Sequence, residues 1–531
     1  MRAGYLTGLL WLIGGPVLAQ TGWMPLSREV ESSLANAIHA VGSPVHTAIR
    51  PYRKSEIDAL PGVDSLRPEA ALKTLDRWAG VRNGRKVRWG PLLDAAGGFE
   101  PDGRGAVYKG GGGLWLDADA GATLSFHLDG MGWGQRFASY VDTFVRATQV
   151  TPGEGYAYGD PDGVTHYDWN AYVSWDPGKY FNFTLGRGRN FLGEGYRSLF
   201  LSDEAYSYPF LRITTNVWRF RYVNLFTMMN DIRGAKGVAA DFHRKYTSMH
   251  YLSWNATKHV NIALFEAIVW SQGDSLFPRE FDLTYLNPVL FYRPAEYNIG
   301  SPDNALLGLG LSAKVGGRTT VYTQFMLDEF LLERVRNGSK WYANKYGMQA
   351  GVHARDVLGV QGLSVRAEWD FVRPFMFTHS DTRQNYAHMA QPLAHPYGSN
   401  FHEVLLHVGR DQGRWHYGLR ASMAWLGTDS VYSYGNNIFR PESDRPRNAQ
   451  NQWINNGYST GDRDQMTLFH GELRGGWLLD PNTATRMEAS ALYRLRTPHF
   501  GPAQDTWVFT IGIVCHFRER HPEQEVRYVI P

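Results

Sequence analysis

The chain changes its hydrophobic period once. From Pro25 to about Trp89 apolar residues recur at helical spacing. Ser27 can cap a helix that runs through Leu34 and Ile38, and Leu66, Leu72, Leu75 and Trp78 repeat in a second run. Ser55 and Asp58, after Pro51, predict a short turn of helix between the two. From about Pro91 the period becomes two. Phe181, Phe183 and Leu185 alternate with Asn182, Thr184 and Gly186, and Trp169, Ala171, Val173 and Trp175 alternate with Asn170, Tyr172 and Ser174. Asp176-Pro177-Gly178-Lys179 joins these runs as a tight turn. Gly316-Gly317, Asp411-Gln412-Gly413 and Asp480-Pro481-Asn482 join other alternating runs in the same way.

Connections on the opposite side are long: 188–211, 271–304, 330–344, 374–399 and 427–464. Short turns at one end and long loops at the other are the pattern of an outer-membrane β-barrel, and a soluble sandwich has no need of it. Strands of roughly ten residues give a fold class of all-β, a transmembrane antiparallel barrel of about 16–18 strands. The pattern divides the chain into a signal peptide (1–19), a helical periplasmic-side cap or plug (20–90), the barrel (91–517) and a C-terminal tail (518–531). The helical segment is too small for a large core of its own and is expected to pack on the barrel. In the last strand Trp507, Phe509, Ile511, Ile513, Cys515 and Phe517 share one apolar face, expected to meet lipid. Thr510, Gly512 and the closing Phe517 resemble the terminal signal that the barrel-assembly machinery reads.

The N-terminus points to export. Arg2 precedes an apolar run from Leu6 to Ile13, Gly14-Gly15-Pro16 breaks it, and Ala19 precedes Gln20 as a cleavage site. Composition narrows the class further. Among 531 residues, 14% are aromatic, 57 are Gly and 1 is Cys, so neither a disordered chain nor a disulfide scaffold fits. A net charge of +3 removes any global electrostatic case for nucleic-acid binding. Arginine supplies most of the basic residues, and inside a polar lumen it is expected to pair with carboxylates.

Two loops carry candidate chemistry. The first, 186–206, interleaves glycines and Phe191, Leu192, Leu199, Phe200 and Leu201 with charged residues. It is too apolar to lie in water and is expected to fold into the lumen. The second, 287–307, contains Asn287-Pro288, Tyr292-Arg293-Pro294 and Gly300-Ser301-Pro302-Asp303. The 427–464 loop adds Tyr432, Tyr434, Asn436, Asn437, Arg440, Trp453, Asn455 and Tyr458. The candidate ligand-binding or plug residues are Arg187, Arg189, Asn190, Glu194, Tyr196, Arg197, Asp203, Tyr292, Arg293 and Trp453. No His-Glu-x-x-His, no Cys/His cluster and no Gly-x-Ser-x-Gly elbow is present, so no catalytic residue, metal or cofactor is expected.

The first two loops resemble the Wzi-like capsule-assembly family of outer-membrane barrels, and within it a Bacteroidetes branch similar to the gliding-motility protein RemB. The resemblance runs from about Arg50-Pro51 to the last strand. It implies an 18-stranded barrel with a helical element on the periplasmic side. It also implies a non-enzymatic role in binding or organising surface polysaccharide. A gliding-motility or secretion-linked surface complex and a small-solute channel are the alternatives. Expected partners are outer-membrane lipid and lipopolysaccharide, surface polysaccharide and, during biogenesis, the barrel-assembly machinery.

Overall fold

The protein is represented by a computed structural model that describes residues 22–63, 87–160, 162–235, 238–273, 281–288, 303–461 and 465–519. Eighteen long strands close one antiparallel barrel in sequence order. They are β1 (Val87–Glu100), β2 (Gly105–Ala120), β3 (Leu124–Arg136), β4 (Gly163–Trp175), β5 (Phe181–Gly188) and β6 (Tyr208–Val217). Next come β7 (Phe220–Asp231), β8 (His243–Trp254), β9 (Val260–Ser271), β10 (Asn304–Val315), β11 (Thr319–Leu327) and β12 (Tyr346–Arg355). The circle finishes with β13 (Leu363–Val372), β14 (Phe401–Gln412), β15 (Trp415–Leu426), β16 (Met466–Asp480), β17 (Thr485–Thr497) and β18 (Gln504–Val514). The first strand starts at Val87, before the expected Pro91.

Strict alternation explains why these residues pair as they do. Leu185 is 65% exposed on the outside of β5, while its neighbour Thr184 is 1% exposed and faces inward. Leu114, Trp175, Leu309, Val321 and Leu473 continue the exposed apolar belt around the barrel. Aromatic residues ring the belt at both ends: Trp89, Trp175, Trp218 and Trp415 near the short turns, Phe99, Tyr167, Trp369 and Trp507 near the long loops. An apolar wall between aromatic girdles is the surface a bilayer requires. No described helix is long and apolar enough to cross a membrane. The turn at Gly316-Gly317 shows how the short end is tied. Both residues have positive φ, 60° and 79°, in the three-residue turn between Val315 and Thr319, a backbone that glycine adopts without strain.

Closure between β1 and β18 is short. Only Ala95–Phe99 pair with Phe509–Ile513. Beyond Ile513 the last strand leaves the wall, because the Asp94 carboxylate accepts the Cys515 N–H at 2.8 Å. Pro91 sits where β1 has lost that neighbour, at the one sheet position where a missing N–H costs least. The turn corrects the expected lipid face. Trp507, Phe509 and Ile511 do face outward, but Cys515 and Phe517 are buried inside, in a cluster with Leu92, Trp115, Met131 and Trp133. Phe517 stacks on Trp115 at 5.8 Å.

The N-terminal segment enters the barrel from the short-turn end. The Ser27 side chain caps helix α1 (Arg28–Glu31) by accepting the Val30 N–H, as its position before the apolar run suggests. A 3₁₀ turn leads on to α2 (Ala35–Ile38), and α3 (Lys54–Asp58) follows after Pro51. Leu34, Ile38, Val45, Tyr52, Ile57, Leu60 and Val63 form a small core of their own. The second expected helix, at Leu66–Trp78, the basic residues Arg82, Arg85 and Lys86, and the signal peptide lie outside the described residues. Replacing Leu114 with Arg should put a charge near the middle of the outer face, at a cost of about 2–4 kcal/mol. Thr510→Arg, on the inward face of β18, should be milder. Heat-modifiability of the two variants on gels checks this: Leu114→Arg loses folded barrel, Thr510→Arg keeps it.

Candidate functional site

The 188–208 connection does not stand out in solvent; it crosses the lumen. Phe191, Leu199, Phe200 and Leu201 are all fully buried. They join residues of β6–β11 and of the connection between β13 and β14 in the largest apolar cluster of the barrel. Phe200 stacks on Phe265 at 5.0 Å, and its carbonyl accepts the Tyr386 hydroxyl at 2.7 Å. Gly308 and Gly310 in β10 make room for the ring: a Cβ at Gly308 would lie 2.4 Å from it. Phe191–Leu192 pairs antiparallel with Ile49–Arg50 of the N-terminal segment. The inward loop and the plug therefore meet as a small sheet inside the barrel.

Ion pairs fix the loop to the wall. The Arg197 guanidinium donates Nε and Nη2 to the two oxygens of Glu403, both at 3.1 Å, and Nη1 to Glu204 at 3.2 Å. Its backbone N–H donates to Glu368 at 3.1 Å, as does that of Tyr196. Arg187 pairs with Asp168 at 3.2 Å and lies over the rings of Trp169 and Tyr206. Arg189 donates to the carbonyls of Asp203 and Glu519. Asn190 accepts from Arg212, and Glu194 accepts from Thr47 at 2.6 Å and Ser312 at 3.0 Å. Tyr196 accepts from Arg420 through its hydroxyl, and Asp203 lies 3.8 Å from Arg28. Seven of the candidate residues are thus brought together as the struts of a plug. Tyr292 and Arg293 lie outside the described residues, and Trp453 is on the long-loop surface.

A further cluster, Asp370, His395 and Glu403, places three ligand atoms within 4.8 Å of one another. Asp370 accepts from Gln349 through Oδ1, and its buried Oδ2 has no hydrogen-bond partner among the described residues. The His395 Nδ1 accepts the Tyr397 N–H, so Nε2 carries the proton and donates to Glu403 at 2.8 Å, beside Arg197.

At the short-turn end the plug is bound by charge. Glu29 pairs with Arg486 at 2.6 Å, and Arg28 pairs with Glu519 at 2.6 Å. Arg486 first, with His416, His516 and Arg474, holds the Glu29 carboxyl well below the usual range against the opposing effect of burial. Burial, the largest influence, pushes Glu31 up to about 8, beside Arg50 and Arg28, which oppose the rise.

Between plug and wall remains a cavity of about 820 Å³, lined by α1, α2 and the inner faces of strands from both ends of the sequence. Helix α4 (Ser139–Thr148) caps it on the long-loop side. Its Tyr140, Val141 and Phe144 pack with Val107, Leu492, Val508 and Met389. Sequence reasoning missed this chamber. Its lining comes from strands whose register one sequence does not reveal, and its one visible sign was polar residues, such as His407, on the inward parity of the strands.

On the opposite face the 427–465 connection ends in an exposed amide-rich tip, Asn448 to Asn456, with Trp453 near its centre. Trp453 is 44% exposed, and its indole N–H is held by the Ser443 carbonyl at 3.1 Å. The Arg445 guanidinium lies over both Tyr342, at 3.9 Å, and Trp453, and Arg447 lies over Trp453 at 4.6 Å. Tyr432 and Asn455 are exposed with it. Asn436, Asn437 and Tyr458 are buried and hold the loop together.

No protein-family model matches the chain, and no curated protein matches it in sequence. Solved structures do. Wzi, described as an outer-membrane protein involved in group 1 capsule assembly in Escherichia coli and a carbohydrate-binding β-barrel, superposes with a TM-score of 0.55 at 13% identity, covering 93% of this chain and 98% of Wzi. Pseudomonas aeruginosa OccK5 (OpdH) follows with a TM-score of 0.43 at 9% identity, covering 81% of this chain and 98% of its own. The fold is that of an outer-membrane β-barrel of the kind seen in Wzi.

Arg197→Gln should leave Glu403 and Glu204 without their cation, and breaking a buried pair of this kind costs about 3–5 kcal/mol. Denaturant unfolding of the detergent-solubilised barrel should show a clearly lowered midpoint, whereas a purely ligand-contacting Arg197 would leave it unchanged.

Proposed function

We propose that the protein is a non-enzymatic outer-membrane barrel, exported by its N-terminal signal, that binds surface polysaccharide on its long-loop face. The observation that carries the reading is the tip around Trp453. Glycans are recognised by flat apolar faces beside amide and guanidinium donors, and this tip sets an exposed indole among Asn448, Gln450, Asn451, Gln452 and Asn455, with Arg447 against the ring. Hydrogen bonds tie the tip to the neighbouring loop, Tyr342 N–H to Asn455 carbonyl at 2.9 Å and Tyr458 N–H to Lys340 carbonyl at 3.0 Å. A preformed surface loses little entropy on binding. The fold shared with Wzi agrees with this role, and the plugged lumen argues against a small-solute channel. Partners in this reading are lipopolysaccharide and lipid around the belt, and the barrel-assembly machinery during insertion.

A second reading, attachment to a motility or secretion-linked surface complex of the kind that includes RemB, draws on one feature. Phe330, Leu331, Leu332 and Val335 form an exposed apolar patch near the same face, suited to a protein partner. Trp453→Ala decides for or against the glycan reading. Binding of purified surface polysaccharide to the solubilised barrel should weaken by about tenfold or more, as expected for an aromatic anchor, with heat-modifiability unchanged. Wild-type affinity in the variant would contradict the reading.

A further inference from the structure

The chamber behind the plug carries a row of basic side chains along one wall. Lys314, Thr320, His353, Arg366, His407, Arg420 and Glu472 face one another across seven consecutive strands, each directly opposite the next. Four basic side chains stand side by side from β12 to β15. The imidazoles carry charge only when protonated, so the fixed charge of this wall is that of its guanidinium groups, Arg366 in the row and Arg355 beside it, and a buried guanidinium calls for a compensating anion.

At three other buried arginines of the lumen that anion is supplied from within: Arg197 has Glu403, Arg486 has Glu29, and Arg518 has Asp168 at 2.7 Å. At Arg366 and Arg355 it is not. Arg366 reaches the Glu194 carbonyl at 3.5 Å, His353 at 3.3 Å and Glu368 at 3.9 Å. Among the described residues, Arg355, 4% exposed, makes only long side-chain contacts to Thr320 and the His39 carbonyl, and its Nε has no hydrogen-bond partner. The buried Nδ1 of His39 likewise has none, and the His39 ring meets His353 edge-on at 5.6 Å.

The acids that face these groups are already engaged. Glu368 accepts from Tyr322 and two backbone N–H groups, Glu194 from Thr47 and Ser312, Asp356 from Asn36 and the Gly362 N–H, Glu29 from Arg486, and Glu472 from Arg420 and Arg474.

We propose that this row is a binding site for an anionic oligosaccharide segment, whose carboxylate is taken between Arg366 and Arg355 inside the barrel. The site is separate from the Trp453 surface. The choice of a glycan as carrier of the charge rests on the polysaccharide reading above. The geometry favours that carrier over an anionic lipid. Around Arg355 and Arg366, at the short-turn end, the chamber presents His39, His353, His407 and Glu194, while Val107, Val141, Leu492 and Val508 of its apolar lining gather under α4 toward the long-loop end, so an acyl chain would lie away from the cations. Its volume of about 820 Å³ lies in the range of small-ligand pockets. Gln361, Gly362, Gln412 and Gly413 of two short turns also line it, so it reaches the short-turn end beside α1 and α2.

The test uses the full-length barrel in detergent and calorimetric titration with a short oligogalacturonate, its methyl ester and inorganic pyrophosphate. The acidic sugar should bind, weaken as salt rises, and bind at least about tenfold more tightly than the ester. The double variant Arg355→Gln, Arg366→Gln should lose that preference. Ser364→Glu, opposite Arg355 on the cavity wall, supplies the missing carboxylate from the chain itself. It should fold at least as well as the wild type and lose acid binding too, so a misfolded double variant does not spoil the test. Trp453→Ala should leave the acidic preference intact while polysaccharide binding at the long-loop face falls. Equal binding of acid and ester, or unchanged affinity in Ser364→Glu, would overturn the proposal without touching the Trp453 reading. Binding of pyrophosphate but not of the acidic sugar would overturn the glycan assignment.

Discussion

The closed lumen depends on one guanidinium. Arg197 is 1% exposed at the centre of the barrel and spans Glu403 on the wall and Glu204 on its own loop. A buried charge is tolerated only when it is paired and hydrogen-bonded. That condition forces the 188–208 loop to cross the lumen. Once it crosses, Leu199, Phe200 and Leu201 reach the apolar cluster behind it, and Phe191–Leu192 presents an edge on which Ile49–Arg50 can pair. The plug is then held from its other side by Glu29 and Arg28. Each contact is ordinary. Together they make the loop the strand on which the plug pairs inside the barrel.

This arrangement divides the lumen into a filled half and a half that holds a cavity. Against β6–β11 the space is filled with apolar side chains. Against β12–β18 and β1–β3 lies the chamber, with the row of basic side chains at one end and the apolar residues under α4 at the other. A barrel that served diffusion would keep a continuous wet path. Here helix α4 covers the cavity at the long-loop end and the loop fills the other half.

Much of the fold was legible in the sequence because a bilayer imposes a severe rule on a strand. Alternation at Phe181 to Leu185 and at Trp169 to Trp175 follows from one face meeting lipid, and it fixed the facing of those residues. The inward folding of the 186–206 loop was legible for a related reason, since that many apolar residues have no stable place in water. What failed was local. Phe517 continues the apolar parity of the last strand, yet the Asp94 carboxylate captures the Cys515 N–H and draws the chain inside. A carboxylate more than four hundred residues away leaves no trace in the parity pattern. The basic row was hidden for the same reason. Arg366 and His407 become neighbours only through strand register, which is set by hydrogen bonds across the sheet. Of the candidate residues, the arginines of the loop turn out to be struts, and Trp453 alone among the described ones is exposed on the long-loop face.

Single-channel recording in planar lipid bilayers tests the central claim, a lumen closed by its own loop and plug. The account predicts that the full-length protein inserts without sustained conductance steps, and that deleting 191–202 creates them. Sustained open steps in the unmodified protein, of the size an unplugged barrel gives, would contradict it.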